Sequence, residues 1–351
     1  MIFKSNREIS YKLAPQLKFY DSMNPSWKTF YMFSHLSNLR GKVCNTDEEG
    51  LRFNSCNSKF KSIFDDTNKK DTGIVVGNST AFGEGVSADE KTISNLLTQS
   101  TGRKYYNLCV RGFNGYQEIL LFLDNLKKIK KLQQIVVITG INDAILPEYI
   151  NSASSKFSPI YGQDLFINCM NDASIGWKLK ILKKILSPFL PNKDWNKMNK
   201  LNFVYEMQNN KSKIKKLSLD YNETIYNSLS NNLKIWKMIS IGLKINVKIF
   251  LQPICKWTKK ELSQEEELIF KDEIKNVKIK KIFEIANLKK YQLMDNIYRD
   301  LCGKNELYYF DLNKAIESNN NEKNWLFNGN FHLSDLGTET FAYEIEKRLS
   351  I

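Results

Sequence analysis

Short apolar runs alternate with longer amphipathic segments along much of this chain. The runs at residues 74–76, 105–110 and 134–139 each end in a loop with glycine or asparagine, and a segment with helical spacing follows each loop. The pattern resumes at residues 245–251 and 306–312. Short runs that are apolar throughout are typical of strands buried on both faces. The repeated strand, loop and helix order predicts a parallel, doubly wound α/β sheet of about five strands, with its loops converging on one rim.

A second kind of pattern interrupts this alternation after the third strand. Residues 151–239 show long helical segments with lysine-bearing faces and proline breaks. We interpret them as a helical insertion or cap, and residues 71–150 and 240–351 as the two parts of the core. Residues 1–70 combine a helical pattern at 27–39 with polar loop, and we predict that they form an N-terminal extension packed on the core.

Composition narrows the class of protein. With 42% hydrophobic residues among 351, the chain can bury a full core without disulfides or structural metal. Its six cysteines form no Cys-x-x-Cys pair and only two histidines are present, so no zinc site is predicted. The sequence lacks an apolar stretch of roughly 18 residues and a signal-peptide pattern at its start. We therefore expect reduced thiols, no transmembrane segment and a cytoplasmic location.

The net charge of +14 raises the question of an anionic partner. The lysines are not interleaved with stacking aromatic residues, so nucleic acid is not predicted as a partner. Residues 178–216 instead hold eleven lysines against two acids. A basic amphipathic helix in this segment could pack within the insertion or contact an anionic surface or a charged glycan. Four lysines border its apolar stripe: Lys178, Lys180, Lys183 and Lys184.

Ser79 lies where the first buried strand meets its loop. Gly77 and Asn78 precede it, and Gly83 and Gly85 follow. Ligands of open α/β sheets bind at the carboxyl ends of the strands, so this serine is placed where chemistry is usually done. The same residues also suit a plain strand-to-helix turn with a serine N-cap. This motif alone leaves both interpretations open.

Three further loops bring related chemistry to the same rim. Gly112 follows the second strand, Asn142 follows the third, and His332 precedes the last helix. Acyl transfer requires a hydroxyl nucleophile, a base and donors for an oxyanion, and these residues supply each of them. No P-loop and no Gly-x-Ser-x-Gly elbow is present. The second histidine, His35, lies on an apolar stretch and is interpreted as structural.

In this order the motifs resemble those of the SGNH, or GDSL-type, hydrolase superfamily. Its first, second, third and last blocks are similar to GNSTAFGEG, NLCVRGFNGYQE, TGIND and FHLSDLG. The resemblance covers about residues 45–150 and 240–351. It implies a flavodoxin-like three-layer sandwich that carries a helical insertion and needs no metal or organic cofactor.

The same resemblance implies roles for the rim residues. Ser79 corresponds to the nucleophile and His332 to the base, whose ionisation we expect near or above neutrality. The oxyanion hole would consist of the backbone N–H groups of Ser79 and Gly112 and the side chain of Asn142. The expected function is a serine esterase acting on an O-acyl group of a carbohydrate or lipid. The alternatives are an O-acyltransferase of surface polysaccharide biosynthesis and a catalytically weakened domain that serves as a binding module.

One position departs from the family pattern. An aspartate three residues before the histidine orients it in the family, whereas this chain has Gly329 between Asn328 and Asn330. A backbone carbonyl or an asparagine could hold the imidazole, an acid could arrive from the insertion, or the activity could be weakened. Asp335 follows the histidine and suits a cap of the last helix. We favour a Ser79–His332 dyad.

Overall fold

The computed structural model describes residues 7–28, 30–56, 59–63, 71–151, 157–163, 220–259, 261–316 and 323–349. The chain divides into a main unit, residues 1–161 and 222–351, and a second unit, residues 162–221. The central sheet and all predicted site residues belong to the main unit. Four lysines of the predicted basic helix lie outside the described residues: Lys178, Lys180, Lys183 and Lys184.

The described part of the N-terminal extension contains two short helices and two short hairpins. Its elements are α1 (Glu8–Leu13), α2 (Gln16–Ser22), β1 (Pro25–Lys28), β2 (Met32–His35), β3 (Asn54–Cys56) and β4 (Lys59–Lys61). The helical pattern predicted at 27–39 is wrong, because β1 and β2 pair there as an antiparallel hairpin. Trp27 faces Phe33 across the two strands. Aromatic side chains favour such cross-strand pairs, so the aromatic residues that suggested a helix here stabilise a hairpin.

In the part of the chain that the structure describes, five parallel strands form the central sheet. They are β5 (Thr72–Gly77), β6 (Lys104–Cys109), β7 (Leu132–Thr139), β8 (Asn246–Leu251) and β9 (Tyr308–Asp311). Their spatial order is β6-β5-β7-β8-β9, the 2-1-3-4-5 order of flavodoxin-like sheets. The order reverses between β5 and β7, and this switch point opens a crevice at the carboxyl ends of the strands. The predicted fold class is confirmed.

Helices connect the strands and cover the sheet. They are α3 (Ser79–Phe82), α4 (Ile93–Thr101), α5 (Gly115–Asn125), α6 (Ile141–Tyr149), α7 (Tyr221–Leu243), α8 (Cys255–Thr258), α9 (Gln264–Glu273), α10 (Val277–Ile285), α11 (Leu288–Lys304) and α12 (Asp335–Glu346). No helix within the described ranges is long and apolar enough to cross a membrane.

Side chains of the sheet contribute to two hydrophobic clusters, one on each face. Ile74 and Val76 of β5 belong to one cluster, whereas Val75 between them belongs to the other. This alternation follows from the pleat of a strand, which turns successive side chains to opposite faces. Helices α5, α7 and α11 contribute to the first cluster, and α4 and α12 contribute to the second. The result is the three-layer sandwich, with a sheet buried on both sides.

Helix α7 packs with the sheet although the sequence pattern assigned most of it to the insertion. Leu229, Leu233 and Trp236 are buried in the first cluster, and Trp236 lies against Phe122 of α5 with 5.5 Å between ring centroids. Its spacing of apolar residues is that of an amphipathic helix, which does not reveal the partner against which the apolar face is buried.

Candidate active site

The turn after β5 presents Ser79 at the carboxyl edge of the sheet. Asn78 is the N-cap of α3, and its side-chain oxygen accepts a hydrogen bond of 3.2 Å from the N–H of Thr80. The serine N-cap considered from the sequence is therefore wrong, because the preceding asparagine performs the capping. A side chain on Gly77 would overlap the carbonyl of Ile138. The strand can enter this tight turn only because glycine leaves that space empty.

The hydroxyl of Ser79 contacts the imidazole of His332. The distance between Ser79 Oγ and His332 Nε2 is 3.0 Å, although the two residues lie 253 positions apart in the chain. His332 lies in the loop before α12, where the N–H of Asn328 donates to the His332 carbonyl at 2.8 Å. The structure thus brings the two side chains predicted as nucleophile and base within hydrogen-bond distance of each other.

Gln252, at the end of β8, connects the serine turn to the histidine loop. Its side-chain oxygen accepts a hydrogen bond from Asn78 Nδ2 at 2.5 Å, and its Nε2 donates to the hydroxyl of Thr80 at 3.0 Å. The Thr80 hydroxyl in turn donates to the backbone carbonyl of Phe331 at 2.8 Å. These bonds fix both neighbours of Ser79 and the residue before His332. Nothing in the sequence indicated this role for Gln252.

The proposed oxyanion donors lie on neighbouring loops. Within the described ranges, neither the N–H of Ser79 nor that of Gly112 donates a hydrogen bond to the protein. The N–H of Val110 donates to the carbonyl of Gly77 at 3.1 Å, which keeps the loop of Gly112 beside the end of β5. Both N–H groups are therefore available to an oxygen atom of a ligand.

Asn142 is tied to the same loop through its side chain. Its Nδ2 donates to the backbone carbonyl of Phe113 at 2.6 Å, directly beside Gly112 in the chain. A primary amide has two N–H groups, so one remains after this bond is made. The N-cap of α6 is Gly140, without a side-chain cap. Asn142 therefore does not cap α6. The neighbouring carboxylate, Asp143, accepts a hydrogen bond from the N–H of Gly115 at 2.8 Å.

Glu84 and Arg111 form an ion pair beside the histidine, which the sequence analysis missed. Arg111 Nε and Nη2 donate to the two carboxylate oxygens of Glu84, each at 2.8 Å. Glu84 Oε2 lies 3.4 Å from His332 Nε2. Burial alone would raise the pKa of Glu84, but the Arg111 guanidinium and His332 lower it to about 2. The signal available in the sequence was that Glu84 and Arg111 carry opposite charges and lie within the motifs GNSTAFGEG and NLCVRGFNGYQE.

Burial is the main influence on His332 itself. It lowers the pKa of the imidazole from its usual value of 6.5, while the carboxylate of Glu84 acts in the opposite direction. The imidazole is therefore mostly neutral at pH 7, the form that can accept a proton.

His35 has the structural position expected for it. Its ring stacks on Phe82 with 4.0 Å between centroids, and its Nε2 accepts a hydrogen bond of 3.3 Å from the N–H of Arg111. Burial lowers its pKa to about 3, so it stays neutral near pH 7.

A second buried carboxylate occupies the space beside Gly329. A Cβ at this position would overlap Glu273 Oε1. Arg7 Nη2 donates to that oxygen at 2.9 Å, and the N–H of Asn330 donates to Glu273 Oε2 at 3.1 Å. Burial raises the pKa of Glu273 to about 7, although the Arg7 guanidinium acts in the opposite direction. This acid comes from α9, outside the predicted insertion, and its hydrogen bonds go to groups other than His332.

Substituting Gly329 by alanine is expected to lower the free energy of unfolding by about 3 kcal/mol. Its φ is +138°, which L side chains rarely adopt, and the added Cβ would displace a carboxylate that Arg7 holds. Gly102→Ala is the matched control, because Gly102 has φ +70° and open space around it. The control should cost about 1 kcal/mol. Urea unfolding measures the free energy of unfolding of both variants. Equal losses would show that the Glu273 side chain moves aside without cost.

The fold and the site define an α/β protein with a serine–histidine pair at the carboxyl edge of a parallel sheet. No cluster of three or more potential metal-ligating acids, histidines or cysteines is found among the described residues. No protein-family model and no curated protein matches the sequence.

The chain is similar to several solved structures. Examples are an acetyl xylan esterase, a lipolytic protein of the G-D-S-L family from Veillonella parvula and an extracellular lipase from Streptomyces rimosus. Their sequence identities with this chain are 12%, 11% and 10%, and their TM-scores are 0.41, 0.40 and 0.41. The matches cover 79%, 80% and 80% of this chain and 99%, 99% and 100% of theirs. One of them bears the description of the superfamily that the motifs resemble.

Proposed function

We propose that this protein is a serine esterase that cleaves an O-acyl ester, with Ser79 as nucleophile and His332 as base. The observation that carries the proposal is the 3.0 Å contact between Ser79 Oγ and His332 Nε2 at the rim of the sheet. A neutral imidazole at this distance can take the hydroxyl proton as the oxygen attacks. By resemblance, we propose an O-acyl group of a carbohydrate or lipid as the substrate class.

Acylation begins when Ser79 Oγ attacks the ester carbonyl carbon. The Oγ–C bond forms while the proton of the hydroxyl moves to His332 Nε2. Negative charge then develops on the carbonyl oxygen, where the N–H groups of Ser79 and Gly112 and the second N–H of Asn142 can donate to it. The intermediate collapses as His332 returns its proton to the departing alcohol oxygen. A serine ester remains on the protein.

Deacylation repeats these steps with water as the nucleophile. His332 takes a proton from water, whose oxygen attacks the acyl carbon, and the proton then returns to Ser79 Oγ as the acid leaves.

The bond between Asn142 Nδ2 and the Phe113 carbonyl supports the role of Asn142 as an oxyanion donor. A carbonyl can only accept a hydrogen bond, so the bond fixes which end of the amide is the nitrogen.

Covalent labelling with a fluorophosphonate tests the proposal without knowledge of the substrate. We expect one equivalent of probe on Ser79 by mass spectrometry, no labelling of Ser79→Ala and unchanged labelling of Ser100→Ala. Ser100 is an exposed residue of α4 and serves as the control. Absence of labelling in the folded wild-type protein, under conditions that label a known serine esterase, would overturn the proposal.

A further inference from the structure

One carboxylate approaches the ring of His332, at a position that the family pattern does not provide. Glu84 Oε2 lies 3.4 Å from Nε2, the same nitrogen that contacts Ser79 Oγ at 3.0 Å. No hydrogen bond to Nδ1 of His332 is found among the described residues, and Glu273 has its own partners. Glu84 is therefore the carboxylate placed to act on this histidine.

We propose that Glu84, held by Arg111, stabilises the imidazolium that forms when His332 Nε2 takes the proton of Ser79. The inference deepens the proposed esterase function and rests on it. Glu84 would thus supply the negative charge that the aspartate of the family pattern supplies and Gly329 cannot. It would act on Nε2 of His332 and not on Nδ1. Arg111 would be a positioning residue, since it acts on His332 through Glu84.

The position of Glu84 is fixed from several sides. Its N–H donates to the carbonyl of Ser79 at 2.9 Å, so it belongs to the same tight turn as the nucleophile. The fork of Arg111 holds both carboxylate oxygens, and Arg111 Nη1 also donates to the carbonyl of Tyr20 at 3.1 Å. The Glu84 side chain is only 10% exposed. A bidentate pair in such a place keeps its geometry and is weakly screened by water.

The contact with Nε2 has a different effect before and after proton transfer. Before the transfer, Nε2 presents a lone pair to the Ser79 hydroxyl and gains nothing from a nearby carboxylate. After the transfer it carries a proton and a positive charge, which Glu84 attracts across 3.4 Å. An interaction that strengthens as the transition state forms lowers the barrier, rather than merely binding the ground state. An aspartate at Nδ1 would stabilise the same imidazolium and would in addition fix the tautomer of the ring.

Charges from other elements also act on His332. Arg111 and Arg7 lower the pKa of its imidazole, whereas Asp21 acts in the same direction as Glu84 and raises it. Glu273 is paired with Arg7. Glu84 and Arg111 therefore influence the histidine in opposite directions, although they form one ion pair. Their substitution should produce opposite effects on the ionisation of His332.

The test is an NMR titration of the histidine imidazoles in the full-length protein and its variants. The chain has two histidines, and burial lowers the pKa of His35 to about 3, so His332 is the histidine that titrates at higher pH. In Glu84→Gln the midpoint should fall by about one pH unit, since an opposite charge within hydrogen-bonding range has this effect. In Arg111→Gln it should rise by a similar amount. Glu306→Gln, at an exposed ion pair with Lys237, should leave it unchanged.

The rate of fluorophosphonate labelling of the same variants provides the second measurement. Glu84→Gln should label about tenfold more slowly than wild type at its own pH optimum, as expected when about 1.4 kcal/mol of transition-state stabilisation is lost. Slower labelling with an unmoved His332 midpoint, or midpoints that move in the same direction in both variants, would overturn the inference and reduce the pair to a structural role. Failure of wild type to label would instead count against the esterase proposal, because the NMR midpoints are measured without activity.

Discussion

Replacing His332 with alanine is expected to lower the rate of ester hydrolysis by roughly ten-thousandfold or more. The substitution removes the only imidazole within reach of Ser79 Oγ in the described structure, and a neutral hydroxyl is a weak nucleophile. The measurement is kcat/KM for a small p-nitrophenyl ester, accompanied by circular dichroism to show that the variant is folded. Retention of most activity would remove His332 from the mechanism.

His35→Ala is the matched control for this substitution. Its imidazole is buried against Phe82 and accepts a bond from the N–H of Arg111, so its loss should reduce stability more than turnover at a permissive temperature. Should the folded His35 variant lose all activity while the His332 variant retains it, the base would have been assigned to the wrong histidine.

The pH dependence of wild-type activity should agree with the lowered pKa of His332. In the proposed mechanism the neutral imidazole is the base, so activity should fall as the pH drops through that pKa, which lies below 6.5. From the sequence we expected this ionisation near or above neutrality. The structure moves the expectation to lower pH, because burial of the ring disfavours its charged form.

The strands and the rim residues could be predicted because their signals are local. Residues 135–138 are all apolar, and a strand buried on both faces is the simplest structure consistent with such a run. Each run ended in a glycine or asparagine loop, so Ser79, Gly112 and Asn142 could be assigned to one edge once the sheet was taken as parallel. The parallel order then needed only the right-handed rule for the crossovers.

The interactions that complete the site depend on the tertiary structure. Glu84 and Arg111 are 27 positions apart, and Gln252 joins Asn78 across 174 positions. Glu84 and Arg111 carry opposite charges within two motifs of the site, but nothing local shows that their side chains pair or that Gln252 contacts Asn78. The side chain that fills the space beside Gly329 could not be predicted either. Glu273 is one of several acids in α9, and only the structure shows that it is buried beside the glycine.

Asn142→Ala is expected to lower kcat for the same ester by about a hundredfold to a thousandfold, with little change in KM. The oxyanion exists only in the transition state and the intermediates, so the loss of a donor to it affects the chemical step rather than binding. Steady-state kinetics on the folded variant measures both constants. Equal activity in the variant would exclude Asn142 as an oxyanion donor.

A second asparagine separates this role from a structural one. Asn276 caps α10 by accepting hydrogen bonds from the N–H groups of Lys278 and Ile279, so Asn276→Ala should cost about 1 kcal/mol of stability and leave kcat unchanged. Asn142 caps no helix, but its bond to the Phe113 carbonyl holds the loop of Gly112. If Asn142→Ala resembled Asn276→Ala, with lower stability and full activity, that bond would be its whole function. A loss of kcat at nearly unchanged stability is the outcome that the oxyanion assignment requires.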